Sequence, residues 1–113
     1  MPIEKWSDNV VVVHLADDPQ FTDDLEQLEK SETGGRNAQE THAVLDFAAV
    51  HFINSSNIAK LLRLRKQMMN QGCRLMLCSI NTQVWGAFLI TGLDKVFEYS
   101  DNVPTALATL QIA

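Results

Sequence analysis

A chain of 113 residues fits one domain with a single core, because folding at that size buries about two-thirds of the surface an unfolded chain exposes. Its composition, 46% hydrophobic and 20% charged, lies far from that of disordered chains. The net charge of -5 is unevenly placed: ten of the fourteen acids fall in residues 1–40, whereas residues 54–74 hold Lys60, Arg63, Arg65, Lys66 and Arg74 and no acid. An acidic chain with one basic helix face suits a phosphate or an acidic protein surface, and no nucleic-acid partner is expected.

The opening residues Met1, Pro2, Ile3 and Glu4 lack a basic stretch followed by a long apolar one, so neither a secretory leader nor membrane insertion is expected. Cys73 and Cys78 stand five apart in a stretch that reads as a strand. An odd spacing sends them to opposite faces and forbids a mutual disulfide, and a reducing cytoplasm is the expected compartment.

In chain order, Ile3 to Ser7 and Val10 to Leu15 are β-rich and flank the turn signal Asp8-Asn9, which predicts an antiparallel hairpin. Thr22 to Ser31 sets Leu25 and Leu28 on one helical face, with Thr22 available to cap the first turn. Ser31 to Thr41 has no apolar period and contains Gly34-Gly35, so it reads as an exposed loop. Ala43 to Phe47 is a compact strand, and the cluster Asn54-Ser55-Ser56-Asn57 announces a helix from Ser56 to about Asn70. That helix is expected to turn Ile58, Leu61, Leu62, Arg65, Met68 and Met69 to one side and Lys60, Arg63 and Gln67 to the other.

Gly72 stops the helix, and Arg74 to Ser79 is the next strand. Thr82 to Thr91 follows as a helix capped by Asn81, with Gly92 as its left-handed C-terminal residue and Leu93 folding back. Lys95 to Tyr99 is a last short strand, and Val103 to Ile112 a closing helix with Pro104 in its first turn. The order β, β, α, β, α, β, α, β, α predicts an α/β fold in one domain over residues 1–113. It has a mixed sheet, an antiparallel N-terminal hairpin and about four packed helices.

Little in the sequence carries catalysis. His14, His42 and His51 are isolated, without a second ligand at metal spacing, and Gly34-Gly35 neither follows a strand nor opens a phosphate-binding helix. Neither cysteine sits in a CxxC pair or at a helix N-terminus, and Ser55 and Ser56 lack a Gly-x-Ser-x-Gly frame. No enzyme, metal or cofactor is expected. The serine pair reads on its own as a helix start in which one hydroxyl caps the first turn.

The serine pair is set in a longer pattern. Val44-Leu45-Asp46, then Val50-His51-Phe52-Ile53-Asn54-Ser55-Ser56-Asn57-Ile58, Gly72 through Cys78, and Thr91-Gly92-Leu93-Asp94-Lys95-Val96-Phe97 together resemble the STAS domains of bacterial anti-sigma factor antagonists. The family usually shows a hydrophobic pair, Asp-Ser-Ser-Gly and an aliphatic residue at the helix start, and Thr-Gly-Leu before the last strand. The resemblance implies a non-enzymatic regulatory module that binds a serine-kinase anti-sigma factor, is released by phosphorylation of Ser55 and is restored by a serine phosphatase. It implies partner contacts by Asn54, Ser56, Asn57, Ile58, Lys60 and Arg63, and it leaves homo-oligomers open. Two positions depart from the pattern: Asn54 replaces the acid, and Asn57 adds a side chain where the glycine would let a partner approach closely. The alternative role within the same fold is a constitutive subunit of a lipid-transport ABC complex or an unphosphorylated scaffold.

Overall fold

The computed structural model describes residues 3–34 and 41–112. Five strands form one sheet in the order β1 (Ile3–Ser7), β2 (Val10–Ala16), β3 (His42–Ala49), β4 (Leu75–Cys78) and β5 (Glu98–Ser100). The first two pair antiparallel across the Asp8-Asn9 turn, and each later strand adds parallel to its predecessor. The parallel steps are made by α1 (Gln20–Gly34), α2 (Ser55–Asn70) and α3 (Thr82–Thr91), and α4 (Val103–Ile112) closes the chain. Successive right-handed crossovers that all advance in one direction leave their helices on one face of the sheet.

Strand periodicity divides the core accordingly. Val13, Leu15, Leu45, Phe47 and Leu77 pack against Phe21 and Leu25 of α1, Leu61, Leu64 and Met68 of α2, and Val84 and Phe88 of α3. On the other face Val10, Val12, Val44, Met76 and Cys78 meet Ala106, Leu107 and Leu110 of α4. With both faces covered, the inner strands read as continuous apolar runs without alternation. Phe47 stands between Phe21 and Phe88 in edge-to-face contacts at 5.9 and 6.1 Å, so one ring on β3 joins α1 to α3.

Several element boundaries depart from the sequence reading. The first helix begins at Gln20 and continues to Gly34, into the segment expected as a loop; the rest of that segment, residues 35–40, lies outside the described residues. β3 extends one residue before and two beyond Ala43 to Phe47. β4 is shorter at both ends than Arg74 to Ser79. β5 begins at Glu98, since Leu93–Lys95 first make a 3-10 turn in which Val96 donates its N–H to the Leu93 carbonyl at 3.0 Å.

The inward stripe of α2 also differs. It is Asn57, Leu61, Leu64 and Met68, and Leu62 and Met69, expected inside, face outward. Their spacing of one position from Leu61 and Met68 rotates them off the core-facing line.

Gly92 takes the left-handed conformation, φ 78°, and its N–H reaches the carbonyls of Phe88 and Leu89, while Leu93 folds back to 6% exposure. A Cβ added there meets no atom within 4 Å, so the cost of a side chain is confined to the backbone. Gly92→Val is expected to destabilise the domain by about 1–2 kcal/mol, since a β-branched residue resists positive φ. Denaturant unfolding checks it: a midpoint equal to wild type would show that the backbone here tolerates a branched residue.

Candidate functional site

Where β3 ends, the chain runs through Val50–Asn54 at the carboxyl edge of the sheet before entering α2. Asn54 is the N-cap: its Oδ1 accepts the Asn57 N–H at 2.8 Å, and Asn57 Oδ1 accepts the Asn54 N–H at 3.1 Å. Two asparagines thus form a reciprocal capping box, a role usually filled by Ser or Thr with Glu or Gln. Neither serine caps the helix, which begins one residue earlier than the sequence reading placed it. Ser55 and Ser56 are its first two residues, both are exposed, and no described hydrogen bond engages either hydroxyl.

Asn57 corrects a second expectation. Its side chain is not presented to a partner but is 2% exposed, turned inward beneath the cap. Its amide donates to Asp18 Oδ2 at 2.8 Å, and the Asn54 amide reaches the same oxygen at 3.4 Å. A carboxylate from the segment after β2 therefore underlies the cap that Asn54 and Asn57 form.

Asp18 and its neighbour Asp17 are the residues the sequence reading missed. Asp18 Oδ1 accepts the hydroxyl and N–H of Thr22 at 2.7 and 3.0 Å, so the residue also fixes the start of α1. Asp17 Oδ1 accepts the N–H groups of His51 and Phe52 at 2.7 and 3.2 Å, and its Oδ2 meets His51 Nδ1 at 3.0 Å. Hydrogen bonds to the ionised form hold both carboxyls below the usual range, from the His51 N–H and ring at Asp17 and chiefly from the Thr22 hydroxyl and Asn57 amide at Asp18. The clamp leaves Phe52 67% exposed beside a depression of about 180 Å³ that Gln83 and Ala87 of α3 also line.

The basic residues do not form one free face. Lys60 pairs with Glu26 of α1 at 3.0 Å, Arg65 donates from Nε to the Val96 carbonyl at 3.0 Å, and Arg74 makes a two-pronged pair with Glu98. Arg63 and Lys66 stay exposed on the outer side of α2, near Leu62 and Met69; Ile58 is half-buried against the core. Cys73 and Cys78 are buried in the cores on opposite faces of the sheet, although Cys73 precedes β4 and so is not placed by strand alternation as the spacing argument assumed. Burial pushes the Cys78 thiol up to about 11, which keeps it protonated and a poor nucleophile at neutral pH.

Asp18→Ala would leave the buried Asn57 amide without its carboxylate, which is expected to cost about 1–3 kcal/mol. Acid should act in the same direction. Because the folded carboxyls of Asp17 and Asp18 titrate below their ordinary value of 3.8, the clamp's contribution is complete above that value and is lost as pH falls through the lower folded values. The side-chain carboxyl carbon shifts of Asp17 and Asp18 followed through an acid titration should therefore show protonation only below the ordinary aspartate value; a protonation step at or above it would contradict the clamp.

A sequence profile of the STAS domain matches residues 7–106. Among solved structures, the chain superposes on the Ser-to-Glu variant of RsbS from Moorella thermoacetica with a TM-score of 0.80 at 22% identity, covering 97% of this chain and 93% of that one. It matches an anti-sigma-factor antagonist (STAS) domain protein from Planctomyces limnophilus at 0.76 and 18% identity, with 90% and 91% covered. The anti-sigma factor antagonist SpoIIAA in its unphosphorylated form gives 0.74 at 15% identity, with 96% of both chains covered. At these identities the structures share the fold, and with the profile spanning nearly the whole chain, including the α2 entrance and the Gly92 turn, this protein belongs to the STAS domain family.

Proposed function

We propose that this domain is an anti-sigma factor antagonist that switches partners: unmodified, it binds a serine-kinase anti-sigma factor, and phosphorylation of Ser55 releases it until a serine phosphatase restores binding. The observation that carries this reading is the placing of Ser55. It is the first residue of a helix whose cap is supplied by its neighbours, so its hydroxyl has no structural duty and stands exposed. A phosphoryl group there adds about -1.5 to -2 charge and three acceptor oxygens. The helix tolerates it, since the macrodipole and free N–H groups of a first turn favour an anion. The added charge is felt by whatever docks on Ser55, Ser56 and the outer side of α2.

Asn54 and Ser56 contribute to that surface directly, Asn57 acts from below by holding the cap, and Ile58 and Lys60 support it from the helix flanks. Arg63 and Lys66 supply the exposed positive charge, which suits an acidic partner surface.

Ser55→Asp is expected to leave the melting temperature within a degree or so, because surface substitutions at a tolerant helix start change stability little, and to weaken binding to the purified anti-sigma kinase at least about tenfold. Calorimetric titration, with mass spectrometry of the domain after incubation with the kinase and ATP, tests the reading. Unmodified Ser55, together with a Ser55→Asp affinity equal to wild type, would remove it and favour a constitutive binding role. Replacing Arg63 and Lys66 together by Glu should slow association about tenfold at low salt with little change at high salt, as electrostatic steering predicts. Stopped-flow rates at two ionic strengths measure this; a rate insensitive to both changes would place the partner elsewhere.

A further inference from the structure

His14 belongs to a polar cluster on the α4 face of the sheet, opposite the face that carries α2, that partner switching does not use. Its Nδ1 lies 2.8 Å from Asp46 Oδ2 on β3, and its Nε2 lies 3.1 Å from Glu4 Oε1 on β1. A neutral imidazole has one N–H and one lone pair, so both contacts are hydrogen bonds only when the ring is an imidazolium. Loss of the proton leaves two acceptors facing each other at one end.

The two ends are unequal. Asp46 stands directly opposite His14 in the β2–β3 register, exposes 15% of its side chain and accepts the Ala48 N–H at 3.0 Å through its other oxygen. Glu4 exposes 60% of its side chain and makes no other described hydrogen bond. Among the described residues, alternation puts three further titratable groups on this face: His42, four residues before Asp46, which accepts the Arg74 N–H; Glu98 of β5, paired with Arg74; and Cys78, opposite Asp46 in the β3–β4 register, whose thiol donates to the Leu45 carbonyl and stays neutral. The α4 helix packed on the same face has no charged residue.

β1 is the strand on which this matters. It lies at the sheet edge with Glu4, Lys5 and Trp6 exposed, and its pairing with β2 is interrupted between Lys5 and Ser7. We propose that His14 is a pH-operated latch on β1: the imidazolium ties Glu4 to Asp46 across β2, and its deprotonation frees Glu4 and loosens the edge strand while β3 keeps its hold. Asp46, and then Glu4, raise the histidine above its ordinary 6.5, so the latch is closed below that value and opens as pH rises through the higher folded one. An edge strand that loosens exposes the backbone of β2, the kind of edge that pairs with another chain.

Heteronuclear NMR of the His14 ring, with amide exchange of β1 corrected for its intrinsic pH dependence, tests the latch between about pH 5.5 and pH 8.5, a window that brackets the ordinary histidine value. The neutral ring should carry its proton on Nδ1, toward Asp46, and exchange of the β1 amides should quicken two- to fivefold across the titration, the range of an exposed ion pair. Glu4→Gln, at an exposed position, should lower the His14 pKa and flatten that dependence. A neutral ring protonated on Nε2, or a Glu4→Gln protein with the native pKa and exchange profile, would overturn the proposal.

Discussion

The parallel pairing of β2 with β3 is the constraint on which the site depends. Six register pairs, from Val10 with His42 to Ala16 with Ala49, bring the two strands to the same edge of the sheet. Only that alignment allows two acids following β2 to reach the backbone and side chains following β3, across 34 to 39 residues of sequence. Each strand carries buried side chains on both faces, and a slip of one residue would exchange those facing α1–α3 for those facing α4. The hydrophobic pattern therefore fixes the position of the Asp17 and Asp18 carboxylates, although neither is itself hydrophobic.

From that alignment follows a division of labour at the α2 entrance. Asp17 grips the backbone before the helix, Asp18 grips its cap from the side, and Asn57 turns inward to receive it. The serines are left over, in the sense that every local structural requirement is met without them. A side chain free of structural duty can be modified without disturbing the fold, which is the chemical condition a covalent switch needs. Helix α2 then carries the same point to the core through Leu61, Leu64 and Met68, so the entrance is rigidly mounted even though its surface is open.

The element order, the antiparallel hairpin, the Asn81 cap and the left-handed Gly92 were legible in the sequence, because each rests on neighbours within a few residues. The resemblance to a family motif pointed to Ser55, a proposal that rests on its exposure at the first position of α2. What the sequence concealed was non-local. Nothing around Asp17-Asp18 distinguishes them from ordinary turn acids, and Lys60 reads as a solvated base until Glu26 is found beside it. His14 looked solitary because its partners lie 10 and 32 residues away and meet it only through strand register. Asn57 misled for a different reason: a polar residue in a helix's first turn is usually turned to solvent, and here a buried carboxamide has a partner that no local pattern announces.

The hydrogen bond from Asn57 to Asp18 also bears on how such a domain can drift in sequence. A glycine at position 57 asks nothing of its surroundings, whereas a buried carboxamide makes position 18 answerable to position 57, 39 residues away. Two residues joined in one hydrogen-bond network are non-additive in stability. Loss of either partner leaves the other's polar group unmatched, so the cost of a substitution at one position depends on the residue at the other. The Asn-Ser-Ser-Asn form of the entrance thus presupposes the acid after β2, a local epistasis carried by one hydrogen bond.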